Sequence, residues 1–162
     1  MLKIKSLVFL FVGVVLFSQC STDPVQKDLL NYVNVELPKL APLESESIDA
    51  FGTVVGQNYT TDSALYAIVK NKVIPKYSDF TSKLQAVTPA TDEVKAIHKE
   101  YVEAAQDQLE GFKFIVDAID KQNGEEILKA KSDIDKAGSL IDQWKKDLMD
   151  DCKKHNVVLE TK

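Results

Sequence analysis

The chain has 162 residues, 20 basic against 25 acidic side chains, and a formal net charge of −5. Every basic residue is a lysine, so no guanidinium fork is present to grip phosphate or carboxylate bidentately. The acidic balance argues against nucleic acid and against electrostatic docking on anionic lipid.

In chain order, the first element is a leader at residues 1–19. Lys3 and Lys5 form a positive start, and Leu7 to Phe17 is an apolar run interrupted by Gly13. At about 1.5 Å per helical residue that run spans roughly 16 Å, too short for a bilayer core of about 30 Å. It reads as an export signal rather than a membrane-spanning anchor. The residues that follow, Phe17-Ser18-Gln19-Cys20, resemble the lipobox of bacterial lipoproteins. Phe17 stands where that family usually has Leu, and Gln19 where it has Gly, Ala or Ser. The resemblance implies that Cys20 receives a diacylglyceryl group and becomes the new N-terminus, which tethers the protein to a membrane of the cell envelope. Ser21, which is not Asp, favours the outer membrane where a cell has one. Read instead as an ordinary secretory signal, Ser18-Gln19-Cys20 fits small-x-small cleavage and gives a released protein.

Loss of Lys3 and Lys5 takes the formal charge from −5 to −7. With Cys20 acylated, Cys152 is the other thiol, so no intramolecular disulfide forms; burial as a small hydrophobe is the expectation. Residues 20–22 form a short tether, 23–156 a helical domain and 157–162 a loose tail.

Within the helical domain four amphipathic segments follow one another. Asp23 as cap with Pro24 at the first position starts a helix. Leu29, Val33, Leu37, Leu40, Ile48, Phe51 and Val55 carry its apolar face toward Gly56, with a bend or break at Pro38 and Pro42. Tyr66, Val69, Val73, Tyr77, Phe80, Leu84 and Val87 give a second stripe between Asp62 and Pro89, with Pro75 predicting a kink. A third runs from Thr91 to about Lys121 through Val94, Ile97, Tyr101, Ala105, Leu109, Phe112, Ile115 and Ile119, stopped by Asn123-Gly124. The fourth, 125–154, carries Ile127, Ala130, Ile134, Ala137, Ile141, Trp144 and Leu148 on one face. Asn123 with Glu126 gives it a capping-box start. Glu125–Lys129, Asp142–Lys146 and Asp150–Lys154 are favourably ordered pairs on its surface. Joined by short turns, the four segments predict an all-α, elongated up-down-up-down four-helix bundle with proline kinks in the first two helices. The lysine surplus of 62–88 against the acidic 91–121 favours pairing of those two segments.

The search for chemistry returns little. His98 and His155 lack the Glu-x-x-His pattern of di-iron bundles, and Cys152 with His155 supplies two ligands where a tetrahedral site needs four. No nucleophile elbow or phosphate-binding glycine loop is present. Tyr32, Tyr59, Tyr66, Tyr77, Tyr101, Phe51, Phe80, Phe112 and Trp144 read as core, with Phe114 pointing away from the main stripe. The expectation is a non-enzymatic envelope lipoprotein, anchored through Cys20, that binds no cofactor and meets an envelope partner. One rival is a carrier or sensor of an apolar ligand held in a gap opened by Pro38, Pro42 and Pro75. A second is an enzyme that uses His98.

Overall fold

A computed structural model describes residues 23–158. The expected leader, the proposed acylation site Cys20 and most of the expected tail lie outside the described residues. All regular structure among the described residues is helical: α1 (Pro24–Asn31), α2 (Leu37–Gly52), α3 (Asp62–Ile68), α4 (Ile74–Gln85), α5 (Asp92–Asp120) and α6 (Gly124–Lys154). A π-helical turn, Tyr32–Glu36, joins α1 to α2, and another, Val69–Val73, joins α3 to α4. Six helices therefore make four antiparallel rods, the expected bundle. Chain direction places the starts of α1 and α5 and the ends of α4 and α6 at one end, called here the proximal end. The loop after α2 and the α5–α6 turn lie at the distal end.

The two π turns are the form the proline kinks take. Pro38 and Pro75 each follow the first residue of an α-helix. A proline inside an α-helix lacks a donor, and its ring collides with the carbonyl four residues back. Here the residue before each proline reaches one residue further: the Leu37 N–H bonds to the Tyr32 carbonyl and the Ile74 N–H to that of Val69. The wider turn makes room for the ring. It also explains why the buried positions recur at intervals of four, at Leu29, Val33 and Leu37 and at Leu65, Val69, Val73 and Tyr77. Tyr66 was expected in this stripe but is half-buried, and Leu65 takes the core position. Pro42, by contrast, sits inside α2 with no break.

The first rod ends earlier than the expected Gly56, at Gly52, where Thr53 caps α2 and a single 3₁₀ turn follows at Gly56–Asn58. Helix α5 closes on Gln122, not on Gly124. Gln122 takes the left-handed conformation (φ 53°), its N–H bonds to Ile119 O at 3.0 Å, and the Asn123 N–H returns to Ala118 O at 3.0 Å. This is the Schellman pattern with glutamine in the position glycine favours. Helix α6 ends likewise: Asn156 is left-handed (φ 56°), the Val157 N–H bonds to Cys152 O at 2.7 Å, and the Val157 side chain is buried. Position 157, expected in the loose tail, thus belongs to the cap of α6.

Asn123 caps α6 by accepting from the Glu126 N–H at 3.3 Å, but the Glu126 carboxylate does not complete the capping box; its Oε2 is buried with no hydrogen-bond partner among the described residues. The expected surface pairs on α6 are re-sorted. Lys145 meets Asp142 and Lys153 meets Asp150, each three residues apart, while Lys154 leaves its helix for Glu93 and Lys129 lies over the Phe114 ring.

The most extensive helix–helix contact is between α5 and α6. Both helices bury small residues, Ala104, Ala105, Gly111 and Ala118 on α5 and Ala130 and Ala137 on α6. At Gly111 the approach is close enough that a Cβ would lie 2.7 Å from Ile134 Cγ1. Rings fill the rest of the centre in a continuous row. Phe51 meets Phe112 at 5.0 Å between centroids, Phe112 meets Tyr77 at 5.3 Å, and Tyr77 meets Phe80 at 5.2 Å. Phe80 then meets Tyr101 at 5.8 Å, and Tyr101 stacks on Trp144 at 3.6 Å. Most of the expected aromatic core therefore packs ring against ring.

Candidate functional site

The residues singled out for chemistry fall in three places. His98 is buried on α5, and Nδ1 shares a 3.1 Å hydrogen bond with the Tyr32 hydroxyl. The two rings also meet edge to face at 5.6 Å. Burial pulls the imidazole below the usual histidine range and pushes the Tyr32 phenol above the usual tyrosine range. Both partners are therefore neutral near pH 7, which suits a packed polar contact. Tyr32 is the first residue of the first π turn.

Cys152 is buried in the core, and burial pushes its thiol up to about 11, so little thiolate exists at neutral pH. His155, one turn later, turns away from it. No group of three or more His, Cys, Asp or Glu among the described residues is placed to hold a metal ion.

A part-buried carboxylate that sequence reasoning missed, Glu44, lies between α2, α5 and α6. The Tyr101 hydroxyl donates to Glu44 Oε2 at 2.8 Å. Burial raises the Glu44 carboxyl above the usual carboxylate range, and the Tyr101 hydrogen bond and the charge of Lys145 oppose the shift. Next to Tyr101, Trp144 Nε1 is buried with no partner among the described residues. On the other side of the ring row, Tyr77 donates to Gln108 Oε1 at 2.7 Å.

The third place is the proximal end, where charged side chains join three helices. Asp28 on α1 is buried, and its Oδ2 accepts from the Ala90 N–H (2.9 Å), the Thr91 N–H (2.7 Å) and the Thr91 hydroxyl (2.8 Å). Thr91, expected to start α5 by itself, makes no side-chain cap bond to that helix. The carboxylate of another helix takes over the N-terminal donors instead. Beside it stands a four-member cluster. Asp23 caps α1 through the Val25 N–H at 2.9 Å. Its Oδ2 lies 2.7 Å from His155 Nδ1, and Glu93 Oε1 lies 3.5 Å from His155 Nε2. Lys154 pairs with the same Glu93 oxygen. The two carboxylates, by hydrogen bond and charge, hold His155 above the usual histidine range, while His155 and Lys154 hold Asp23 and Glu93 below the usual carboxylate range. Both His155 partners lie far away in sequence, so no local spacing reveals them.

Two grooves open toward the distal half of the bundle. One, of about 490 Å³, runs between α5 and α6 and is lined by Asp107, Glu110, Phe114, Lys129, Asp133 and Lys136. The other, of about 360 Å³, lies between the end of α2, the following loop and α6, and is lined by Phe51, Val55, Tyr59, Lys131, Ile134 and Asp135. In each a lysine lies over an aromatic ring: Lys129 over Phe114 and Lys131 over Tyr59. Phe114 thus faces outward from the stripe, as its spacing predicts. Neither groove is lined by Pro38, Pro42 or Pro75. The lysine-rich segment 62–88 packs against the acidic segment 91–121, with Lys70 under the charge of Asp120, and further cross-helix pairs join Lys76 with Glu46 and Lys154 with Glu93. Among the described residues no helix is long and apolar enough to cross a membrane. No protein-family model, curated protein or solved structure matches the chain.

Proposed function

We propose that this protein is a lipid-anchored envelope protein whose helical bundle presents a non-enzymatic interaction surface. The observation that carries the reading is the leader with Phe17-Ser18-Gln19-Cys20 directly before the helical domain. The first cap of that domain, Asp23, stands three residues after Cys20 and is bonded to the far end of α6. An acyl chain on Cys20 would hold the proximal end at the membrane and turn the distal loop and the two grooves toward the aqueous space. A non-enzymatic role is supported by the neutral, phenol-bonded state of His98 and the suppressed ionisation of Cys152.

Each buried methylene of an acyl chain contributes about 0.8 kcal/mol to membrane binding, so acylation has a direct physical readout. Intact-mass analysis of the protein from membranes is expected to show the leader removed and acyl mass on Cys20. Cys20→Ala is expected to abolish the acyl mass and the partition into a detergent phase. A wild-type protein with no acyl mass at Cys20 overturns the reading. The carrier reading draws on one observation, the mostly apolar groove beside Phe51 and Tyr59, and would place a ligand there and not at the prolines.

A further inference from the structure

We propose that the Asp23–His155–Glu93 cluster is a pH-dependent clasp that fixes the start of α1 to the end of α6 while His155 is an imidazolium and loosens it when that proton leaves. The argument is geometric. A neutral imidazole has one N–H, but here each ring nitrogen faces a carboxylate oxygen: Asp23 Oδ2 at 2.7 Å from Nδ1 and Glu93 Oε1 at 3.5 Å from Nε2. With a proton on Nδ1 alone, the lone pair of Nε2 would face the Glu93 carboxylate. With a proton on Nε2 alone, the lone pair of Nδ1 would face Asp23 at hydrogen-bond distance. Among the described residues Nε2 makes no hydrogen bond and meets Glu93 only as an ion pair, so the doubly protonated ring alone offers both carboxylates a favourable partner. The ring is 13% exposed, so solvent screens it less than the surface pairs around it.

Every helix that meets the ring contributes charge. Asp23 comes from α1, Glu93 from the first turn of α5, and Lys154 from α6 itself; Asp151 stands one turn back on α6 and acts on Lys154. His155 is the C-cap of α6, where the helix dipole adds to the preference for a cation. A base whose folded-state affinity for protons is raised gives stabilisation that is complete below its ordinary value, about 6.5. That stabilisation is lost as pH rises through the raised value. Asp23 and Glu93 are shifted the other way, so their contribution is complete above the ordinary carboxylate range and is lost on acidification through their lowered values. The clasp is therefore tightest in mildly acidic solution.

Its opening is one-sided. Loss of the Nε2 proton leaves the Nδ1–H bond to Asp23 without the charge that strengthens it, while Lys154 remains on Glu93, so α5 and α6 stay joined and the Asp23 side weakens. That side is the first turn of α1, three residues from Cys20. The switch does not depend on acylation. Its consequence, a tether that gains length as pH rises, rests on the reading of Cys20 above.

The test uses the full chain in zwitterionic detergent micelles. Ring-proton NMR of the two histidines is expected to give His155 a midpoint above that of His98. Amide protection factors, corrected for the intrinsic pH dependence of exchange, should fall at residues 24–31 by about three- to tenfold between pH 6 and 8.5, as for a partly screened ion pair. Protection at α3 should stay flat. Asp23→Asn keeps an equally good cap for α1, so its predicted effects, a lower His155 midpoint and a flattened pH dependence, report the charge and not the cap. His155→Gln should flatten the dependence as well. A His155 midpoint at or below the ordinary value, or pH-independent protection at 24–31 in the wild type, overturns the proposal. A flat response in wild type with acyl mass on Cys20 sinks the clasp alone; a pH-dependent response without acyl mass sinks the anchoring alone.

Discussion

Burial raises the Glu44 carboxyl above the usual range, and the Tyr101 hydroxyl and Lys145 offset only part of that cost. An acid of this kind holds a proton in the folded state that it has already lost when unfolded. Stability therefore falls as pH rises from the ordinary carboxylate value toward the raised one. Glutamine at this position keeps an oxygen to accept from Tyr101 and carries no charge to desolvate. Glu44→Gln is expected to raise stability at pH 7 by about 1 kcal/mol, with the gain shrinking toward pH 4. Urea midpoints at the two pH values measure it, and a loss at pH 7 would mean that the Lys145 attraction outweighs the burial. Trp144 was legible as a core residue because it lies on a helical stripe, and His98 stands beside Ile97 at the edge of another. Glu44 was not legible, since the partner that matters, Tyr101, is supplied by another helix.

The same division separates what the helices disclose in sequence from what they do not. Stripes, the Asp23-Pro24 start and the Asn123 cap are local patterns, and each recurs in the structure. Proline announces a disturbance but not its form, because relief by a π turn or by a bend depends on what packs around the helix. Here Tyr32, at the start of the first π turn, bonds to His98, and the Ser47 hydroxyl of α2 bonds to the Val73 carbonyl at 3.2 Å at the end of the second. The Gln122 cap was missed for a related reason: glycine two residues later gives the stronger local signal, yet the backbone turns at the glutamine. Closeness of α5 and α6 is likewise a property of the pair. Gly111 reads as an isolated helix glycine, but its missing Cβ is what lets Ile134 approach. Gly111→Ala adds helix propensity of up to about 1 kcal/mol in isolation. In the bundle the new methyl would meet Ile134 Cγ1 at 2.7 Å, with the Ile134 backbone N and Cα close behind at 3.4 and 3.5 Å. Overpacking of this kind costs about 1–3 kcal/mol, so a net loss is expected by thermal or urea unfolding. A net gain would show that α6 can shift outward freely.

The two ends of the bundle are built differently. At the distal end a cross-rod hydrogen bond runs from Tyr66 to Asp120, at 3.1 Å on an exposed surface. At the proximal end Asp28, the His155 cluster, Lys154–Glu93 and the Gln26–Asn156 contact bind α1, α5 and α6 together. Asp28 is the strongest of these on physical grounds, because one buried carboxylate oxygen satisfies two backbone N–H groups and a hydroxyl at the positive end of α5. Removing it leaves those donors to solvent at a helix start whose own Thr91 makes no side-chain cap bond. Asp28→Ala is therefore expected to destabilise the protein by about 2–3 kcal/mol, more than an ordinary cap deletion, since hydrogen bonds to a charged group are involved. Hydrogen exchange should locate the damage at residues 90–95 and along α1, and leave the 121–123 turn at wild-type protection. Asp28→Asn should recover part of the loss, because an amide oxygen still accepts but brings no charge to the helix dipole. Equal losses for the two variants would mean that shape and not charge joins the rods at this end. Increased exchange at the distal turn would mean that the two ends open as one unit, leaving no proximal segment able to loosen independently.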